Sequence, residues 1–223
     1  MEKLAAIVLM AGLSTRFGGP KNKQLCLLNG KPVFTYSIET FAKLNNFAEL
    51  VIVVNQENKE EIEKFLRKTG INAKIILGGA TRQESVRNAL NALDLNDDNV
   101  VVIHDAARPL VDVFIINQVA KAAFEYGAAT AYLPATDTIA IKNENDEVVE
   151  FKNRTTIAQI QTPQAFKYGL IKKAHDNAKD CEATDDCSMV MKLGNKVKLV
   201  IGDKKFSKIT TSEDIKYLEG LLK

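Results

Sequence analysis

The residues best placed to do chemistry open the chain. An apolar run at residues 5–9 leads into Met10-Ala11-Gly12-Leu13-Ser14-Thr15-Arg16-Phe17-Gly18-Gly19, followed by Pro20-Lys21-Asn22-Lys23-Gln24. Small side chains let backbone N–H groups approach a ligand closely, and a series of such groups forms a concavity for anions. Arg16 and Lys23 bring two cations within reach of the same loop, and backbone donors plus cations suit a polyphosphate. The run matches neither G-x-x-x-x-G-K-[ST] nor G-x-G-x-x-G, which disfavours a P-loop ATPase or a dinucleotide binder.

A second cluster, His104-Asp105-Ala106-Ala107-Arg108-Pro109, follows an apolar run at residues 99–103. Ligands of open α/β sheets sit beyond the carboxyl ends of the strands. An acid there can meet a ribose or a metal, and the paired alanines leave room beside it. Gly78-Gly79-Ala80-Thr81-Arg82-Gln83-Glu84-Ser85 offers a glycine turn with hydrogen bonds for a base edge or a sugar; Thr81 also reads as a plain helix cap. Thr136-Asp137-Thr138, Arg154, Thr162-Pro163-Gln164 and Lys208-Ile209-Thr210-Thr211 read as loop features. His175 reads as an exposed residue of a polar helix. No nucleophile–base pair fit for acyl transfer is visible.

Strand-length apolar runs position these groups, alternating with helix-length amphipathic stretches. Strands are expected at residues 5–10, 50–54, 73–77, 99–103, 129–133, 157–161 and 196–201. Helices are expected at 33–44, 59–68, 81–93, 114–126, 168–177, 185–192 and 212–222. This alternation predicts an α/β fold, a mainly parallel sheet covered by helices on both faces, with 99–103 central. Residues 138–142 and 148–152 flank a polar turn and read as a hairpin. A lone hairpin is marginally stable, so it is expected to pack on something, such as a second copy of the chain.

The totals narrow the classes. The chain has 223 residues, 26% of them charged, and a net charge of +2. That balance gives no reason to expect a nucleic-acid or membrane partner. Cys26, Cys181 and Cys187 form neither a disulfide framework nor a zinc pattern and are expected as reduced thiols. No apolar stretch approaches the roughly 20 residues of a membrane span, and the short first apolar run reads as a strand, not a signal peptide. A cytoplasmic location is expected.

Together the ordered motifs resemble the 2-C-methyl-D-erythritol 4-phosphate cytidylyltransferase family over nearly the whole chain. They are Ala11-Gly12…Arg16…Lys23-Gln24, residues 78–86, His104-Asp105-Ala106-Ala107-Arg108-Pro109, Asp137-Thr138, Thr162-Pro163-Gln164-Ala165-Phe166 and Lys208-Ile209-Thr210-Thr211. The chain departs from the family pattern at Met10, Ser14 and Asn22; counting from Arg16 points to Lys23 as the key lysine, with Lys21 the other candidate.

The resemblance implies a Rossmann-like three-layer nucleotidyltransferase fold in one domain over residues 1–223, with a protruding β-arm at about 138–155 that joins a homodimer. It implies CMP transfer from CTP to 2-C-methyl-D-erythritol 4-phosphate, with Mg²⁺ as cofactor. Arg16 and Lys23 match the transition-state-stabilising pair. Ala11, Gly12, Leu13, Ser14, Gly79, Ser85 and Asp105 fall to CTP. Arg108, Thr138, Arg154 and Lys208 fall to the acceptor, Arg154 acting across the dimer, and Asp105 is the metal candidate through water. A ribitol 5-phosphate cytidylyltransferase and a non-catalytic nucleotide-binding module are the alternative readings.

Overall fold

The computed structural model describes residues 3–12, 17, 23–44, 47–178, 183 and 185–222. The first strand, β1 (Leu4–Leu9), is buried along its whole length. Successive side chains of a strand point to opposite faces. Leu4, Ala6 and Val8 join one apolar cluster, while Ala5, Ile7 and Leu9 join another on the opposite face. A continuous apolar run is what a strand covered on both faces requires.

After β1 come a short ladder of β2 (Leu27–Leu28) and β3 (Lys31–Pro32), then α1 (Val33–Ala42), β4 (Phe47–Val54), α2 (Gln56–Thr69) and β5 (Lys74–Leu77). The chain continues through α3 (Arg82–Asn91), β6 (Val100–Asp105), α4 (Val113–Tyr126) and β7 (Ala128–Pro134). A hairpin of β8 (Ile139–Lys142) and β9 (Val148–Lys152) precedes β10 (Ala158–Lys167). The last elements are α5 (Tyr168–Asn177), α6 (Asp186–Lys192), β11 (Lys198–Ile201) and α7 (Ser212–Leu221).

Seven strands make one sheet in the order β11-β7-β10-β6-β1-β4-β5. β1 runs parallel to β4 and β6, β4 to β5, and β7 to β11. Only β10 is antiparallel, to both of its neighbours. α1, α2 and α4 pack on one face through Phe34, Ile38, Ile62 and Ile116. α3, α5 and α6 pack on the other through Val86, Leu90, Ile171 and Val190. The result is the expected three-layer α/β architecture with β6 in the middle of the sheet.

Two expectations fail. The strand expected to end at residue 161 continues through Thr162-Pro163-Gln164 to Lys167, so this motif is a strand and not a loop. A proline cannot donate to a ladder, and the pairing of β10 with β7 slips register between Ile160 and Gln164, where Pro163 is absorbed. His175 is only 1% exposed. It shares the buried face of α5 with Ile171, from which Ala174 and His175 stand three and four residues on, spacings that a helix puts on one side.

β8 and β9 form a separate two-stranded sheet, and Val148, Val149 and Phe151 on it are exposed. Among the described residues no helix is long and apolar enough to cross a membrane.

Candidate functional site

The carboxyl ends of the parallel strands open into a cavity of about 420 Å³. Met10, Ala11 and Gly12 enter it after β1, Asn55 after β4 and the glycine turn after β5; Asp105 enters from the end of β6. Lys23 and Lys208 complete the wall. Thus Ala11, Gly12, Lys23, Gly79, Ser85, Asp105 and Lys208 line one cavity. Leu13, Ser14, Arg16 and Lys21 lie outside the described residues.

Asp105 carries the dominant charge relationship. Lys208 Nζ donates to its Oδ2 at 2.6 Å, and Arg82 Nε donates to its Oδ1 at 3.2 Å. Burial would raise the pKa of this carboxyl, but the two cations overcome it and hold the group well below the usual carboxylate range. Asp105 is therefore ionised and oriented at neutral pH.

The segment carrying Lys208 is pinned to the turn after β6 by three contacts. Ile209 N donates to Ala107 O at 2.8 Å, and Arg108 Nη1 donates to Phe206 O at 2.7 Å. The third is the Lys208–Asp105 pair itself. Lys23 Nζ donates to Ile209 O at 3.0 Å, which ties the amino-terminal lysine to the same segment. Behind the segment, Thr211 and Asp214 form a capping box that starts α7. Arg108 helps build the wall but does not line the cavity.

On the opposite wall, Gly79 N donates to Ser85 Oγ at 3.1 Å and Ser85 Oγ donates to Thr81 O at 2.9 Å. Thr81 caps α3 by accepting from Glu84 N, the plain structural role its position suggested. A Cβ on Gly78 would stand 2.5 Å from Ala11 Cβ and 2.7 Å from Ser85 Oγ. Only a glycine lets the turn after β5 approach the loop after β1 so closely.

His104 is structural. It is fully buried, with Thr162 Oγ1 3.1 Å from Nδ1 and Arg108 O 3.1 Å from Nε2. The Arg108 carbonyl only accepts, so Nε2 carries the ring proton and Nδ1 accepts from the Thr162 hydroxyl, which itself accepts from Asp105 N. Ser37 Oγ lies 3.5 Å from Nε2, a serine neighbour that sequence spacing did not show, but both residues are 0% exposed and no substrate reaches them.

Thr138 and Arg154 stand apart from the cavity, both exposed at the base of the hairpin, where Arg154 Nη1 donates to Thr136 O at 2.9 Å. Three further residues stand here: Arg82, to which its motif gave no role, His175, expected to be exposed, and Asp186, which lies in no motif. Arg82 lines the cavity and donates through Nη1 to Asp186 Oδ2 at 2.7 Å. Asp186 in turn accepts from His175 Nε2 at 3.0 Å.

Among the described residues no group of three His, Cys, Asp or Glu side chains could hold a metal ion. A hard cation such as Mg²⁺ commonly takes one or two carboxylates and completes its shell with water and substrate phosphates. Asp105, both of its oxygens already on cations, suits contact through water.

A family model described as IspD: 2-C-methyl-D-erythritol 4-phosphate cytidylyltransferase matches residues 4–223. The chain is 39% identical over 230 residues to the protein of that name from Clostridium perfringens (strain SM101 / Type A), covering 100% of both chains. It is 40% identical over 225 residues to the same-named protein of Caldanaerobacter subterraneus subsp. tengcongensis, covering 99% of each. Among solved structures it superposes on 4-diphosphocytidyl-2C-methyl-D-erythritol synthase from Anaerococcus prevotii with a TM-score of 0.88 at 26% identity, over 99% of this chain and 96% of that one.

Proposed function

The chain belongs to the 2-C-methyl-D-erythritol 4-phosphate cytidylyltransferase family, and from that premise we propose which of its residues carry the reaction. The reaction is transfer of CMP from CTP to 2-C-methyl-D-erythritol 4-phosphate. It gives 4-diphosphocytidyl-2-C-methyl-D-erythritol and pyrophosphate, on the route to isoprenoid precursors. An oxygen of the acceptor phosphate bonds to the α-phosphorus of CTP as the bond to the bridging oxygen breaks. The nucleophile is already anionic, so no strong base is needed, and catalysis is positioning plus stabilisation of negative charge.

CTP occupies the cavity, its base and ribose against Ala11, Gly12, Leu13, Ser14, Gly79, Ser85 and Asp105. Arg16 and Lys23 hold the triphosphate and offset the charge that builds on its oxygens. Arg108 and Lys208 belong to the acceptor side. Thr138 and Arg154 reach the acceptor from a second copy of the chain, paired through the hairpin whose exposed Phe151 and Val149 need a cover. Asp105 would hold the Mg²⁺ cofactor through water, and the ion when bound would neutralise part of the triphosphate charge. Cys187 is a buried thiol outside any disulfide, which supports a cytoplasmic location; Cys181 lies outside the described residues.

The observation that carries this assignment is the convergence of Lys23, Asp105 and Lys208 on one cavity from three distant parts of the chain. Pyrophosphate release from CTP tests it, with methylerythritol phosphate and ribitol 5-phosphate as rival acceptors. Release with the first and not the second is expected. Turnover only with ribitol 5-phosphate, or with neither, refutes the assignment. Sedimentation tests the pairing: a dimer that Phe151→Asp converts to a monomer is expected, and a wild-type monomer refutes it.

A further inference from the structure

Behind the cavity wall one guanidinium joins two carboxylates. Arg82 sits at the first position of α3, with Nε on Asp105 Oδ1 at 3.2 Å and Nη1 on Asp186 Oδ2 at 2.7 Å. Asp186 starts α6 and is 0% exposed. Its other oxygen accepts from His175 Nε2 at 3.0 Å, on the buried face of α5. A carboxylate accepts only, so Nε2 carries the ring proton, while Nδ1 is buried without a partner. Neighbouring Asp185 caps α6 by accepting from Cys187 N at 2.7 Å, which holds the start of this helix in place. The tips of α3, α5, α6 and β6 thus meet in one chain of contacts, His175–Asp186–Arg82–Asp105.

Fold stability does not explain such a chain. Desolvating a carboxylate is expensive, and well-packed apolar residues of similar volume often stabilise as much or more. What the chain does provide is direction. A planar guanidinium gripped on two edges has little freedom, and Arg82 is part of the cavity wall. Losing either grip would let both Arg82 and the carboxylate it holds swing.

We propose that Asp186, oriented by His175, is a positioning residue for cytidylyl transfer: it fixes Arg82, and through Arg82 the Asp105 carboxylate, in the orientation that receives the substrates. The inference rests on the assignment of Asp105 to the site given above.

Steady-state pyrophosphate release, with each substrate varied in turn, tests it on the full-length enzyme. Asp186→Asn keeps the size and removes the charge. Its kcat is expected to fall roughly 10- to 100-fold, the scale of a small misplacement near the reacting atoms, with KM for CTP rising as well because the Asp105 carboxylate it holds is assigned to the nucleotide. His175→Gln, which retains a donor for Asp186, is expected to keep most of the turnover that His175→Leu loses. Should Asp186→Asn fail to fold, Arg82→Met/Asp186→Leu replaces the ion pair with apolar bulk and is read in the same way. Wild-type kcat in either folded variant, or equal kcat for the two His175 variants, overturns the proposal. A wild-type enzyme that releases no pyrophosphate removes the underlying assignment; an active wild type matched by Asp186→Asn removes this inference alone.

Discussion

Lys208 Nζ and Asp105 Oδ2 meet at 2.6 Å across 103 residues of sequence. One comes from the segment before α7, the other from the end of the central strand, so the pair closes the cavity between them. Asp105 is 7% exposed and keeps its charge because Arg82 and Lys208 face it. The cations and the anion orient one another through contacts within the chain, and fixed charges of this kind are what electrostatic stabilisation of a transition state draws on.

Replacing Lys208 by alanine is expected to weaken acceptor use more than nucleotide use. The lost bond is charge-assisted, worth about 1.5–3 kcal/mol, or roughly 10- to 100-fold in kcat/KM for the polyol phosphate. Initial rates at saturating CTP with the acceptor varied check this. A change confined to KM for CTP would place Lys208 on the nucleotide instead.

Lys23→Ala is expected to act on kcat. In the structure Lys23 Nζ reaches Ile209 O at 3.0 Å on the cavity wall. As a donor to developing phosphate charge its loss should lower kcat by roughly 10²–10³. Single-turnover formation of the cytidylyl product separates this chemical effect from binding. Turnover equal to wild type would transfer the role to Lys21 or dismiss it.

The parts of the molecule legible from sequence are those whose signal is local. β1 and β6 announce themselves as unbroken apolar runs because both faces of each are covered. Asp105 and the glycine turn at 78–79 are legible as residues lining the cavity because they stand at strand ends. β10 was cut short because Pro163 reads as a strand terminator, whereas the slip in its ladder absorbs the missing donor. Arg82 and Asp186 are separated by 104 residues, and nothing near either names the other. His175 looked exposed because polar neighbours surround it in α5; its buried state depends on Asp186, which only the packing of α5 against α6 supplies. Its spacing four residues from Ile171 was the one signal that could have placed it inward.

His104 makes the fold acid-sensitive in a defined window. Burial is the largest cause that lowers its pKa from 6.5 to about 4, with Asp105 opposing. Between those values the unfolded chain binds a proton that the folded chain refuses, so stability rises with pH there. The contribution is full above the unfolded value and is lost as pH falls from about 6.5 toward 4. Between pH 7 and 5 the loss should be about 2 kcal/mol. Denaturant unfolding at a series of pH values is the measurement, with His104→Gln as the reference that lacks this titration. Parallel pH curves for the two proteins would show that His104 protonates freely in the fold.

Gly78→Ala is expected to damage nucleotide use without a charge being touched. The added methyl would stand 2.5 Å from Ala11 Cβ and 2.7 Å from Ser85 Oγ. Ala11 has no flexible end to move, so either the loop after β1 or the turn after β5 must shift. Overpacking of this kind costs about 1–3 kcal/mol, and both yielding segments line the cavity. KM for CTP should rise by roughly 5- to 100-fold if that strain falls on the nucleotide-bound form, while KM for the acceptor, assigned above to the Lys208 side, is expected to stay within about threefold. Direct titration of CTP onto the variant separates this from a general loss of fold. An unchanged affinity would mean that the two loops part without cost, and that CTP does not lie between them.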